Sequence, residues 1–240
     1  MNKVAVITPT IGRPTLQQCV DSVKAQTIPC THYVFVDGKQ FWESADATLY
    51  KERGVVVTQM PMNAGGDGYR NFPYLAGVPW LLREKYVAFL DDDNWWDETH
   101  LESCIQHMEK HDLDVCFTLR NIVSADATVQ VPDNCVSLGY YPNYNNQLLA
   151  DTSTIVVKTE IAQKCGHAWY NQSNGDQMFT QELLKNKYKI GQTGKRTLYY
   201  RISEDSLNTT PMSWFYDMNQ QVLNIHKTAP WCNESVIKYK

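Results

Sequence analysis

Residues 86–102 read YVAFLDDDNWWDETHLE. The opening apolar run, rich in Val and Phe, has the character of a buried strand, and it passes directly into Asp91, Asp92 and Asp93 and then, after Asn94, into Trp95 and Trp96. Three carboxylates at the end of a strand repel one another unless something positive sits among them. A metal ion, a basic partner or plain exposure to water would each meet that demand.

The rest of the chain supplies the scaffold for such a strand. KVAVITP alternates and stops at Pro9, and the following TLQQCVDSVKAQ sets Leu16, Cys19, Val20 and Val23 on one helical face. THYVFVDG is a second apolar run closing on Asp37-Gly38, and GVVVTQM (54–60) a third. The glycine-rich NAGGDGYRNFPYLAG (63–77) reads as a loop entering a helix whose regularity Pro73 and Pro79 limit. After the aspartates, Asp97 is placed to cap a helix with Leu101, Cys104, Ile105 and Met108 on one side.

Strand and helix alternating in this way imply parallel βαβ units, in which ligands bind beyond the carboxyl ends of the strands. Thr8 to Thr10, Asp37, and Asp91 to Asp93 all end strands, so they should line one crevice. Beyond residue 112 the pattern changes: LDVCFTLRNIV and TSTIVVK read as strands separated by the Tyr/Asn-rich loop LGYYPNYNNQ, and helices follow at about 176–186 and 213–226. The last carries Trp214, Met218, Val222 and Ile225 on one face. No linker or repeat interrupts the chain, so the expectation is one α/β domain over 1–240, with a nucleotide-binding half to about residue 111 and a second half over about 112–240.

Charge and cysteine content narrow the function classes. A net charge of −4 with 20% charged residues excludes a broad nucleic-acid or polyanion surface, so any cation site must be local. The seven cysteines form no C-x-x-C pair, which argues against a disulfide framework or a zinc site and for core packing in a reducing, cytoplasmic setting. The N-terminus lacks the pattern of a signal peptide, and no run approaches the ~18 apolar residues of a membrane helix.

Taken in order, the segments VAVITPTIGRPTLQQCVDSV, VFVDG, NAGGDGYRN, VAFLDDDNWWDETHLE and GDQMFTQELL resemble those of the family 2 type of GT-A glycosyltransferases, with Tyr69 where Ala is usual. The resemblance implies a Rossmann-like GT-A fold with a central, mainly parallel sheet flanked by helices. It implies inverting transfer of a sugar from a nucleotide-diphosphate sugar, most often a UDP-sugar, to a hydroxyl of a glycan, glycolipid or glycoprotein. It also implies a Mn²⁺ or Mg²⁺ ion bridging the donor diphosphate to the Asp-x-Asp segment, a pairing that suits hard oxygen ligands.

Carried over by position, Asp93 is the metal ligand, Asp91 faces the ribose and sugar, and Asp176 is the catalytic base. Thr8, Pro9, Thr10, Arg13, Asp37, Asn63, Arg70 and Asp92 fall to the nucleotide sugar, and Trp95, Trp96 and Asp151 are candidates for acceptor contact. Two departures stand out. Gly175-Asp176 lacks the Glu that often precedes the base, and YYRISEDS has Ser203 where many relatives have a metal-binding His. That leaves a third ligand to Glu204, Asp205, His226, or to phosphate and water.

Two rival functions fit parts of the pattern. An apolar strand ending in Asp-x-Asp also marks HAD-type phosphohydrolases, where the first aspartate, here Asp91, is a covalent nucleophile. A sugar-nucleotide-binding module without turnover is the other, and it holds if Asp176 merely caps its helix.

Overall fold

The computed structural model describes residues 3–50, 52, 54–140, 148–170, 174–202 and 210–239. In chain order the elements are β1 (Val4–Thr10), α1 (Leu16–Lys24), β2 (Cys30–Asp37), α2 (Trp42–Leu49), β3 (Val55–Met60), α3 (Phe72–Gly77), β4 (Tyr86–Phe89), β5 (Trp95–Trp96) and α4 (His100–His111). The second half adds β6 (Val115–Val123), β7 (Gln130–Pro132), β8 (Gly139–Tyr140), β9 (Leu148–Leu149), β10 (Ile155–Lys158), α5 (Thr159–Cys165), α6 (Gly175–Lys185), β11 (Ile190–Arg201), α7 (Met212–His226) and β12 (Ser235–Val236).

One large sheet runs in the order β12-β11-β6-β10-β4-β1-β2-β3. The β3-β2-β1-β4 side is wholly parallel, as is the β6-β11 pair, while β10 lies antiparallel between β4 and β6. A mainly parallel sheet covered by helices on both faces explains the unbroken apolar runs of β1 and β4. Their alternate residues part company: Ala5, Ile7, Val87 and Phe89 enter a core with α3, α5 and α6, whereas Val4, Val6, Tyr86 and Ala88 enter another with α1 and α4. A third cluster, around Leu119, Ile122, Phe215, Val222 and Trp231, seats α7 under the second half.

Two local expectations are corrected. Helix α4 begins at His100 with Thr99 at the cap position, and Asp97 instead shapes the turn before it, its Oδ1 accepting the Thr99 N–H (3.0 Å) and hydroxyl (2.6 Å). In α7 the buried face carries Phe215, Asn219 and Val222, leaving Trp214 38% and Ile225 74% exposed. Asn219 can face inward because both ends of its amide are paired, with the Asn134 N–H (2.8 Å) and the Pro132 carbonyl (2.7 Å). The segment from Ser203 through 209 and most of the loop at 138–147 lie outside the described residues.

Candidate active site

The ladder of β4 ends where the Leu90 N–H bonds the Ile7 carbonyl (3.0 Å), and the three aspartates follow at the carboxyl edge of the sheet. They do not share an environment. Asp92 is 1% exposed and turned back into the protein, where it accepts hydrogen bonds from the Thr10 hydroxyl (2.6 Å) and the Ile11 N–H (3.3 Å) and pairs with Arg13. It ties the loop after β1 to the end of β4. Asp37 does the same for the glycine-rich loop: its carboxylate accepts the N–H groups of Ala64 (2.6 Å) and Gly65 (2.9 Å) and the Tyr74 hydroxyl (2.5 Å).

Asp91 and Asp93 flank Asp92 and, unlike it, are only partly buried. Asp91 accepts a hydrogen bond from the Asn71 amide (2.5 Å) and a long one from the Ser153 hydroxyl (3.4 Å). Burial, then the charges of Asp93, Asp151 and Asp92, push its carboxyl well above the usual range. The Asp93 carboxylate accepts no hydrogen bond from another residue among those described, although its backbone carbonyl accepts Arg201 Nε (3.1 Å); burial and Asp92 raise the carboxyl to about 6, against the opposing pull of Arg13.

The second half closes the crevice from the other side. Asp151 heads the turn before β10, accepting the Ser153 N–H (2.9 Å) and Arg120 Nη1 (2.6 Å). Arg120 also donates from Nε to Asp133 (2.8 Å) and lies over the Tyr200 ring at 4.3 Å. Burial works against its charge, but Asp133 and Asp151 outweigh that and keep it protonated. Asp133 is held low in spite of burial by Arg120 and the Cys135 and Val136 N–H groups.

Asp176 stands in the first turn of α6, partly buried, with its Oδ1 accepting the N–H of Gln177 (2.7 Å). Burial and then Asp151 raise its carboxyl. The missing Glu before it has a steric reason: a Cβ on Gly175 would sit 2.7 Å from the Phe72 ring, so only glycine lets α6 approach α3 this closely. Asp151 therefore raises Asp91, Asp93 and Asp176 alike, with Arg13 the cation that opposes the rise of Asp93 and Arg120 the one that opposes that of Asp176. Asp93 with Asp91, hard, anionic and short of hydrogen-bond donors, fits a divalent cation of the Mg²⁺ or Mn²⁺ type, which takes one or two carboxylates and fills its shell with phosphate and water.

The remaining residues divide. Trp96 is buried, donating Nε1 to the Ser153 carbonyl (2.8 Å) and stacking on His100, while partly exposed Trp95 stacks on Tyr199 at 5.1 Å beneath Arg201. The Thr8 hydroxyl is buried against His32 Nε2 (2.9 Å), and Pro9 is buried beside it. Asn63 and Arg70 are exposed on the glycine-rich loop. Sequence reasoning singled out neither Asn71, Tyr74, Ser153 and Tyr200 nor Arg120. For Arg120 a signal existed, since an arginine inside the apolar run VCFTLRNIV demands carboxylate partners once that strand is buried.

Comparison with known proteins agrees with this architecture. TarS of S. aureus (residues 1–349, in complex with UDP-GlcNAc) superposes with a TM-score of 0.64 at 18% identity, over 95% of this chain and 67% of that one. The same fragment with UDP gives 0.61 at 19% identity, over 93% of this chain and 71% of that one. The succinoglycan biosynthesis protein ExoW of Rhizobium meliloti (strain 1021) is 31% identical over 121 residues, which is 49% of this chain and 37% of ExoW, so the chain spans well under half of that relative's length. None of these relatives supports a phosphohydrolase. Residues 5–167 match the profile of Glycosyl transferase family 2, and the chain belongs to that family of glycosyltransferases.

Proposed function

We propose that the protein is an inverting, metal-dependent transferase that moves a sugar from a UDP-sugar to a hydroxyl acceptor. The observation that carries this reading is Asp93, a carboxylate raised to about 6 at the edge of the sheet with no hydrogen-bond donor from another described residue. Asp93, supported by Asp91, would hold Mn²⁺ or Mg²⁺, which when bound stabilises the negative charge gathering on the departing diphosphate. Asn71 and Ser153 orient Asp91 toward the ribose and sugar side.

Asp176 takes the acceptor proton as the acceptor oxygen bonds to the anomeric carbon from the face opposite the diphosphate. Its raised carboxyl is a better base than an exposed aspartate. Asp151, close enough to raise Asp176, keeps that basicity up, while Arg120 limits the rise. The acceptor is a glycan, glycolipid or glycoprotein, a polysaccharide being favoured by ExoW's role in succinoglycan biosynthesis. A cytoplasmic site of action belongs to this reading; among the described residues no helix is long and apolar enough to cross a membrane.

One contact favours a second reading: Asp176, inside the first turn of α6 after Asn174 at the cap position, accepts the Gln177 N–H, one of the first-turn donors with no partner within the helix, a helix-supporting role that a binding module would share. Release of UDP from UDP-sugars, with and without Mn²⁺ and acceptor, separates the two. The transferase reading expects Mn²⁺-dependent release that falls by about 10²–10⁴-fold in Asp176→Asn with UDP binding kept. UDP binding without release from any UDP-sugar would leave the silent module.

A further inference from the structure

At the far end of α4 from the aspartates, His107 and His111 stand one turn apart and face Glu234, the residue just before β12. One ligand atom from each of the three lies within 4.8 Å of the other two. Glu234 Oε1 is the centre of the group, 3.1 Å from His107 Nδ1 and 3.1 Å from His111 Nε2. This cluster belongs to no part of the crevice, and the cysteine spacing that excludes a thiolate zinc site says nothing about it.

The state of His107 points to a ligand. Its side chain is 3% exposed, and Nε2 lies 3.1 Å from the Ser235 carbonyl, which can only accept. Nε2 therefore carries the proton, and in the neutral ring Nδ1 has a lone pair. That Nδ1 is buried and makes no hydrogen bond, although Glu234 Oε1 is 3.1 Å away. A nitrogen lone pair and a carboxylate oxygen facing each other repel, and a cation between them turns the repulsion into two bonds. A backbone carbonyl fixing the tautomer through the distal ring nitrogen is the usual outer-shell support of a metal-binding histidine.

We propose that His107 Nδ1, His111 Nε2 and Glu234 Oε1 form a site for a borderline divalent cation of the Zn²⁺ type, distinct from the hard-cation site at Asp93. Two imidazoles and one carboxylate leave a fourth position to water, and a tetrahedral ion at ~2.0–2.1 Å from its ligands sets them about 3.3 Å apart. The two Glu234 separations already match this. Only the histidine pair has to close, and His111 lies on the exposed side of the helix, free to do so. Lys110 Nζ shares the same oxygen at 2.8 Å, but its side chain is 63% exposed and can yield the place. Bound metal would pin the C-terminal strand β12 to α4.

The test uses the whole chain, stripped by chelation and then kept in excess Mg²⁺ so that the aspartate crevice is filled. Zn²⁺ binding is followed by calorimetry and native mass spectrometry, and Co²⁺ by its visible absorption. One tightly held Zn²⁺ per chain and a four-coordinate Co²⁺ spectrum are expected. His111→Ala and Glu234→Gln should each weaken binding by about 100-fold or more, beyond the ~10–100-fold that losing an outer-shell partner costs. Lys110→Ala should tighten it, since an ammonium competing for Oε1 is gone. Both His111 and Glu234 are exposed enough for these variants to fold, so melting curves without metal should stay close to the parent's. The proposal is overturned if the parent binds no Zn²⁺ under these conditions, if His111→Ala and Glu234→Gln bind it unchanged, or if only Asp93→Asn abolishes it.

Discussion

The aspartates of the nucleotide side and those of the crevice centre are the same side chain under opposite conditions. Asp37 and Asp92 are wrapped by backbone N–H groups, hydroxyls and a guanidinium, each taking three donors from its own chain. Asp91, Asp93 and Asp176 are less deeply buried but short of donors, and all three are pushed upward. Burial of a charge is tolerable when hydrogen bonds replace its water. Where the chain supplies those bonds, the carboxylate is a brace for loops; where it does not, the deficit must be met from outside, which is what the proposed cation and acceptor proton would do.

The largest expected effect lies in exchanging one neighbour for the other. Asp93→Asn should lower transfer by ~10²–10⁴-fold, the equivalent of several kcal/mol of charge stabilisation from a lost ion. Its melting temperature should hold or rise, because one of several repelling carboxylates is gone, and the extra stabilisation by UDP with Mn²⁺ over UDP alone should vanish. Asp92→Asn should do the reverse, melting lower while keeping its Mn²⁺ response. If the two variants melt alike, the division between brace and site is wrong.

A step smaller, Arg120→Ala removes the buried cation that serves both kinds of carboxylate, Asp133 as brace and Asp151 in the crevice. Leaving two buried acids uncompensated should cost about 3–5 kcal/mol in denaturant unfolding. A loss below ~1 kcal/mol would mean that solvent reaches the pair freely.

Smaller still is a contrast in pH dependence, read on metal-free protein. His32 is buried, with its pKa lowered to about 3 by burial and then Lys24, so below pH ~6.5 the unfolded chain binds a proton that the fold refuses. Stability is then full above pH ~6.5 and falls by about 2 kcal/mol between 6.5 and 5 from this residue. Asp93 works in the other direction: its folded pKa of about 6 lies above the ordinary carboxylate range, so its penalty is relieved as pH falls through 6. His32→Gln should flatten the acid loss of stability, and Asp93→Asn should steepen it. Slopes that move together in the two variants would break the comparison.

How much of this was legible beforehand follows from what each signal depends on. The apolar runs of β1, β2 and β4 and their polar ends are local, and they located the crevice at the carboxyl edge. The distinct environments of Asp92 and Asp93 depend on which way each side chain turns past the end of β4, and three identical letters carry no mark of that. Tyr74 and Asn71 reach their aspartates across 37 and 20 residues, a distance no spacing rule covers. The face of α7 was misjudged because apolar periodicity ranks Ile225 above Asn219, while the fold pairs the asparagine fully and leaves the isoleucine in water. Gly175 departs from the expected pattern for a reason visible only once Phe72 is opposite it.

The reversed direction of β10 has a consequence for how the crevice is anchored. Because β10 runs against β4 and β6, it is the beginning of this strand, not its end, that reaches the crevice, and Asp151 and Ser153 arrive there before the strand starts. The residues ahead of them belong to the excursion between β6 and β10, which is threaded through no parallel crossover. The register of β1, β2 and β4 does not pass through that excursion, which is tied down separately by the Asp133–Arg120 pair and the buried Val131, Cys135 and Leu138. By turning a single strand around, the fold anchors the two sides of the crevice independently of each other.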